Sequence, residues 1–217
     1  MTPLPPALRF EYFFWSCGFA RIAGIDEAGR GAWAGPVVAA AVILPRVRHL
    51  KTWWKNDALA ALKHAHDSKL LSSKQRQALV EPIRAAALAC ATGSASHSEI
   101  DALGIVPATR LAMRRAIQSL AVLPDALLID AVKLEIALPQ QSIIHGDQLA
   151  LSIACASILA KTTRDAMMRE MDAQYPGYGF ARHKGYGTAA HQAALQKLGV
   201  TPAHRLSFAP VMKIVTQ

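Results

Sequence analysis

The sequence predicts an α/β domain, and three observations carry that expectation. Apolar runs at residues 22–25, 37–44 and 126–129 hold no charge and are bounded by turn formers or charged residues, as buried strands are. Segments with apolar residues at helical spacing lie between and after these runs. The chain has 217 residues, 52% of them apolar, which suits one globular domain with a substantial core.

The organising stretch is RIAGIDEAGRGAWAGPVVAAAVIL, residues 21–44. Its first apolar run delivers Asp26 and Glu27 into the glycine-bracketed Gly29-Arg30-Gly31, and an uncharged run follows Gly35-Pro36. The pattern predicts strand, acidic tip, glycine loop, strand. A surface hairpin with incidental charges is the alternative, but carboxylates at the end of a buried strand are costly unless a cation meets them. A divalent metal is the usual solution. Neighbouring strand residues point to opposite faces, so Asp26 and Glu27 share a site only if the strand ends there and the chain bends. Asp26 is then the inner ligand and Glu27 reaches in from the turn.

The remaining elements follow in order. Residues 1–8 are proline-rich, and residues 9–19 form an aromatic arm, a short helix or extended segment lying on the domain. Residues 1–20 are therefore set apart from a domain spanning 21–217. Residues 45–66 make a basic connection containing Trp53 and Trp54. Ser72 or Ser73 caps a helix carrying Leu79, Ile83 and Leu88. Residues 90–97 predict a strand, and 98–120 a helix that Pro107 breaks or restarts. The run at 126–129 ends in Asp130, and residues 141–144 predict a short strand. A long helix spans 147–173, with Ser157, Lys161 and Asp165 spaced by four on one face. Glycine-rich loops at 176–180 and 183–188 precede a helix over 188–198.

A net charge of +9 favours a polyanionic partner. Residues 46–76 contain eight Lys and Arg against Asp57 and Asp67, and from Lys161 onward eight Lys and Arg face three acidic residues. Two basic regions flanking an acidic centre suit a nuclease better than a simple binding module. Cys17, Cys90 and Cys155 lack metal-type spacing and read as reduced, buried thiols. No apolar run reaches transmembrane length and no signal peptide is evident, so a cytoplasmic protein without a membrane partner is expected.

The block Gly24-Ile25-Asp26-Glu27-Ala28-Gly29-Arg30-Gly31 resembles the signature of bacterial ribonuclease HII. So do Asp67-Ser68-Lys69, Ile129-Asp130, Gly146-Asp147, the stretch from Ala156 to Asp165, Tyr175-Pro176-Gly177-Tyr178-Gly179-Phe180, His183-Lys184-Gly185-Tyr186-Gly187-Thr188, and His204-Arg205 with Ser207-Phe208-Ala209-Pro210. The resemblance implies an RNase H-like fold: a five-stranded mixed sheet flanked by helices, with a helical C-terminal extension. It implies hydrolysis of the RNA strand of RNA–DNA hybrids and nicking 5′ of single ribonucleotides in duplex DNA, with 5′-phosphate and 3′-hydroxyl products. By position, Asp26, Glu27, Asp130 and Asp165 match the family's metal-binding, catalytic carboxylates. The residues themselves point to the first three as strand-end carboxylates and to Asp165 only as part of a polar helix face. The sequence departs from the family at Ala32, Trp33, Ala131 and Gln148-Leu149.

Several carboxylates without neighbouring His or Cys suit Mg²⁺ or Mn²⁺ and not zinc, and two ions about 4 Å apart would serve phosphodiester hydrolysis. Gly29-Arg30-Gly31 alone would be a tight turn. Beside the carboxylates it reads as a backbone reader of the ribose 2′-hydroxyl, a role the family shares with the tyrosine matching Tyr186. Lys69 and Lys161 would hold phosphates. Ser157 would contact a phosphate or bond its own helix, and His183 and His204 have loop and packing roles. The partners are RNA–DNA hybrid and ribonucleotide-containing DNA, met by a monomer. Among rivals, ribonuclease HIII carries a separate N-terminal domain that roughly 20 residues cannot build. A junction resolvase needs no 2′-hydroxyl reader, and a duplex-binding module needs no four carboxylates.

Overall fold

The computed structural model describes residues 6–47, 55 and 57–215. Trp53 and Trp54 fall outside the described residues. The apolar runs form strands β1 (Ile22–Ala28), β2 (Val37–Ile43) and β4 (Ala126–Asp130), with β3 (Ala89–Ala95) and β5 (Gln140–Ile143) completing a sheet of order β3-β2-β1-β4-β5. Pairing is antiparallel across β3, β2 and β1 and parallel across β1, β4 and β5, so the sheet is mixed.

Helices cover both faces, which is why β1, β2 and β4 are apolar at nearly every position rather than alternating. On one face α7 (Leu151–Gln174) packs with α1 (Arg9–Ser16) and α3 (Ser73–Ala86) over Ile22, Val42 and Leu128. On the other, α5 (Ile105–Gln118) covers Ile25, Ala39 and Ile129 with Ala112 and Met113. Helix α7 crosses β1 so closely that a side chain at Gly24 would overlap the Ser152 backbone.

Several boundaries differ from expectation. The 57–64 stretch folds into α2 (Asp57–Ala60) and a 3-10 turn (Ala61–His64). Helix α3 is capped by Ser72, whose side chain accepts from the Gln75 amide while Gln75 returns the bond. Leu79 and Ile83 are buried in it, but Leu88 lies beyond its end and is exposed. The expected 98–120 helix is two, α4 (His97–Leu103) and α5, and the break falls at Gly104 rather than Pro107. Gly104 takes φ 83°, which glycine tolerates, whereas Pro107 sits in the first turn of α5, where its missing N–H has no helical partner to lose. The long helix is also divided, into α6 (Gly146–Leu149) and α7. Ala150 is extended because Ala7 bridges there: its amide donates to Leu149 O, and its carbonyl accepts from the Leu151 amide.

The aromatic arm is α1. Trp15 and Phe14 are buried, whereas Phe13 and Tyr12 are not. Its buried Glu11 accepts from the Ser152 amide at 2.8 Å and the Ser152 hydroxyl at 2.6 Å, tying the arm to α7. Of the cysteines only Cys155 is buried; Cys17 is exposed and Cys90 half-buried, and all three are free. After α7 come α8 (Phe180–His183), α9 (Ala189–Leu198) and α10 (Ala209–Val215), the helical C-terminal region. A small core of Ala34, Met168, Tyr178, Phe180 and Leu195 joins it to the glycine loop and α7.

Candidate active site

Strand β4 pairs with β1 only as far as Ile25 and Ile129, whereas β2 follows β1 to Ala28. Asp26 and Glu27 thus project past the last rung shared with β4, and Asp130 closes β4 beside them. The strand does not end at the carboxylates as expected; pairing with Ala39 and Val38 carries it through Glu27 and Ala28, and the chain turns afterwards. Glu27 therefore stands on the strand itself, with the opposite parity to Asp26, not in a turn.

Asp26 lies beside the Ser157 hydroxyl on α7, and its Oδ1 accepts from the Glu27 amide at 2.6 Å. Glu27 Oε1 accepts from Arg30 Nη1 at 3.3 Å, while its buried Oε2 has no partner. Asp130 Oδ1 accepts from the Gly146 amide at 2.8 Å. Asp165 is held by cations, Lys161 Nζ at 2.6 Å and Arg76 Nη2 at 3.5 Å. Burial, then Glu27 and Asp130, push the Asp26 carboxyl well above its usual range, and burial raises Glu27 too.

All seven residues expected to bind substrate line one cleft of about 300 Å³: Gly29, Arg30, Gly31, Lys69, Ser157, Lys161 and Tyr186, together with Glu27 and Ser68. Ala32 bridges to Tyr186, so the glycine loop and the tyrosine loop are adjacent although far apart in sequence. Ser157 does not bond its own helix; its hydroxyl lies 2.9 Å from Ser68 Oγ. Lys69 is exposed, 3.9 Å from Asp147. Burial works against its charge, but Asp147, Asp67, Asp26 and Asp130 prevail and raise its pKa.

Sequence reasoning left two acidic residues without a role. Asp67 accepts from the Lys69 amide and from Gln148, and Asp147 is raised to about 6 by burial and by Asp67 and Asp130. Both stood in motif blocks, yet no spacing linked them. It also left Arg164 and Arg205, both fully buried, where an ordinary reading of arginine is surface charge. His183 stacks on His191 and His204 packs against His191 at a tilt, a buried cluster that reaches the Tyr186 carbonyl through His191. Trp33, a departure from the family pattern, packs on His191 and fills the space a side chain at Gly187 would need. Ala131, another departure, takes φ 48°, a conformation that suits glycine better.

Despite the opposite parity of Glu27, Asp26, Glu27 and Asp130 lie close enough to repel one another, and Glu27 Oε2 is an orphaned buried acceptor, a donor set of the chemistry that would suit a divalent ion. Among the described residues no three Asp, Glu, His or Cys side chains converge as a metal cage; Arg30, the Gly146 amide, Lys161 and Arg76 engage the carboxylates.

A mixed five-stranded sheet with carboxylates at the ends of its central strands defines a nuclease of the ribonuclease H type. The ribonuclease HII family model matches residues 23–211, and the chain belongs to that family. It is similar to ribonuclease HII of Dehalococcoides mccartyi, 48% identical over 207 residues, covering 95% of this chain and 94% of the relative. In fold it is similar to ribonuclease H2 from Pyrococcus horikoshii, with TM-score 0.71, 22% identity, and 89% and 96% of the two chains covered. It is also similar to Bst-RNase HIII in complex with Mn²⁺, with TM-score 0.67, 19% identity, and 91% and 70% covered. The chain is a metal-dependent endonuclease that acts on RNA paired with DNA.

Proposed function

We propose that this ribonuclease nicks duplex DNA 5′ of a single embedded ribonucleotide, besides cutting RNA–DNA hybrids, and leaves 5′-phosphate and 3′-hydroxyl ends. The observation that carries this is the Ala32–Tyr186 bridge, which joins the glycine loop to the tyrosine in a cleft that also reaches Glu27. A 2′-hydroxyl reader and a hydrolytic centre then share one pocket.

Asp26, Glu27, Asp130 and Asp165 would hold two Mg²⁺ or Mn²⁺ ions, which when bound supply an activated water and a stabilised leaving oxygen. The chain's own groups do the rest. Lys69 and Lys161 hold phosphates, Gly29-Arg30-Gly31 presents backbone to the ribose, and Ser157 orients Asp26. Tyr186 packs on the sugar that follows. Residues 21–217 act as the catalytic domain and residues 1–20 as an arm, whose helix α1 is tied to α7 through Glu11 and Ser152. The enzyme works as a monomer in the cytoplasm.

The test is an end-labelled DNA duplex bearing one ribonucleotide. One nick 5′ of the ribonucleotide is expected in Mg²⁺ or Mn²⁺ and none with a chelator. Cleavage of a long RNA–DNA hybrid but not of this duplex would overturn the proposal.

A further inference from the structure

Arg205 lies behind the glycine loop. It is fully buried and is not among the residues that line the cleft. Its guanidinium spreads over three backbone carbonyls: Nη2 donates to Gly29 O at 2.8 Å, Nη1 to Arg30 O at 2.9 Å and Nε to Gly35 O at 2.9 Å. Burial brings its pKa down to about 9, so the site strains against a buried cation and yet keeps one. A packing role would be met by an apolar side chain of similar length. Three donors in a fixed fork point to backbone orientation instead.

Peptide planarity fixes where the neighbouring amides point. The described peptides are trans, so the carbonyl of one residue and the amide of the next point in opposite directions. With Gly29 O and Arg30 O turned inward to the guanidinium, the amides of Arg30 and Gly31 turn outward, on the side where those residues line the cleft. Neither amide donates a hydrogen bond among the described residues. Both carbonyls accept from this one side chain, Gly29 O also from the Ala32 amide at 3.3 Å, and two cleft-side donors are left free for a ligand oxygen.

We infer that Arg205 is the positioning residue of ribonucleotide recognition, aiming the Arg30 and Gly31 amides at the 2′-hydroxyl. The inference rests on the reading of the cleft given under Proposed function and adds the residue that sets its geometry. Arg205 touches no substrate. Its backbone amide also donates to Trp33 O at 2.8 Å, which fixes the segment against the same loop.

The experiment measures binding of two duplexes of equal sequence, one all DNA and one with a single ribonucleotide. The parent is Asp26→Asn, chosen to bind without cutting, in Mg²⁺. The parent is expected to prefer the ribonucleotide duplex about tenfold or more, the range of one or two hydrogen bonds. Adding Arg205→Lys, which keeps the charge but reaches one carbonyl at most, should erase most of that preference. Affinity for the all-DNA duplex should stay within about threefold of the parent's, since the phosphate contacts that set it are elsewhere. A loss shared equally by both duplexes, or an undiminished preference, overturns the inference while leaving the cleft reading intact. A parent without any preference overturns the cleft reading and this inference with it. Should Arg205→Lys fail to fold, Arg205→Gln, which keeps a planar donor but not the three-way fork, takes its place in the same comparison, and an undiminished preference again overturns the inference.

Discussion

His191 and His204 meet with their Nε2 atoms 3.1 Å apart, and one arrangement of protons satisfies both rings. The Tyr186 carbonyl, 3.0 Å from His191 Nδ1, can only accept, so Nδ1 carries the proton and His191 Nε2 accepts. His204 Nε2 then donates, and its Nδ1 accepts from the Thr201 amide at 2.8 Å. Both rings are neutral, and burial lowers each to about 4.

That contact has a pH signature. Folded values near 4 lie below the ordinary histidine value of about 6.5, so the unfolded chain binds more protons between these limits. The pair's contribution to stability is complete above about 6.5 and drains away as pH falls towards 4. His204→Phe keeps a ring against Tyr178 and Phe180 but cannot titrate. Urea unfolding at pH 5 and pH 7.5 should show a smaller pH effect in the variant than in the parent. Equal pH effects would mean that His204 is already solvated when folded.

Arg164 occupies the space a side chain on Gly29 would need. A Cβ there would overlap its guanidinium, and Gly29 takes φ 96° besides. Gly29→Ala should cost about 1–3 kcal/mol and lower Tm by several degrees. Gly31 has open space around its missing Cβ, so Gly31→Ala should leave Tm nearly unchanged. Thermal melts of both settle the point, and any activity lost in Gly31→Ala alone then reports on substrate contact.

Asp26→Asn separates charge from shape. It removes one of three crowded carboxylates, so turnover in Mg²⁺ should nearly vanish while the metal-free protein melts higher, because Asp26 is raised by burial, Glu27 and Asp130. Activity above about a tenth of the parent's would exclude Asp26 as an inner ligand, given how much such charge stabilisation contributes. A lower melting temperature would mean that the Ser157 contact outweighs the repulsion.

Much of this was legible in the chain. Uncharged runs located β1, β2 and β4, because strands covered on both faces advertise themselves by composition. Strand-end position alone exposed Asp26 and Asp130. Glu27 was misplaced into a turn because the register with β2, which carries β1 on to Ala28, is a long-range fact. The division of the long helix at Ala150 was hidden for the same reason, since Ala7 causes it. Asp165 could be placed by its helix face but not aimed, because Arg76 meets it from another helix. Arg205 stood in a motif block, but its role was hidden: its three carbonyl partners lie about 170 residues away in sequence.

Tyr186 offers the sharpest test of what the cleft reads. Its ring is partly exposed, with the Arg164 guanidinium carbon 5.4 Å and Lys161 Nζ 5.9 Å from the ring centre, and its backbone is pinned by His191 and by the bridge to Ala32. A ring held this way is fixed in place and lines the cleft. Packed on the deoxyribose that follows a ribonucleotide, it would be crowded by a second 2′-hydroxyl, which marks the RNA-to-DNA junction. Base–aromatic stacking suggests the scale for such a contact, about 1–3 kcal/mol, or roughly tenfold to a hundredfold. Tyr186→Ala should lose about that much kcat/KM on a one-ribonucleotide duplex and far less on a long RNA–DNA hybrid. Tyr186→Phe should retain most activity on both, since the ring and its cationic neighbours remain. Both variants assayed on both substrates give the answer: equal losses would make Tyr186 structural and leave junction recognition to the glycine loop.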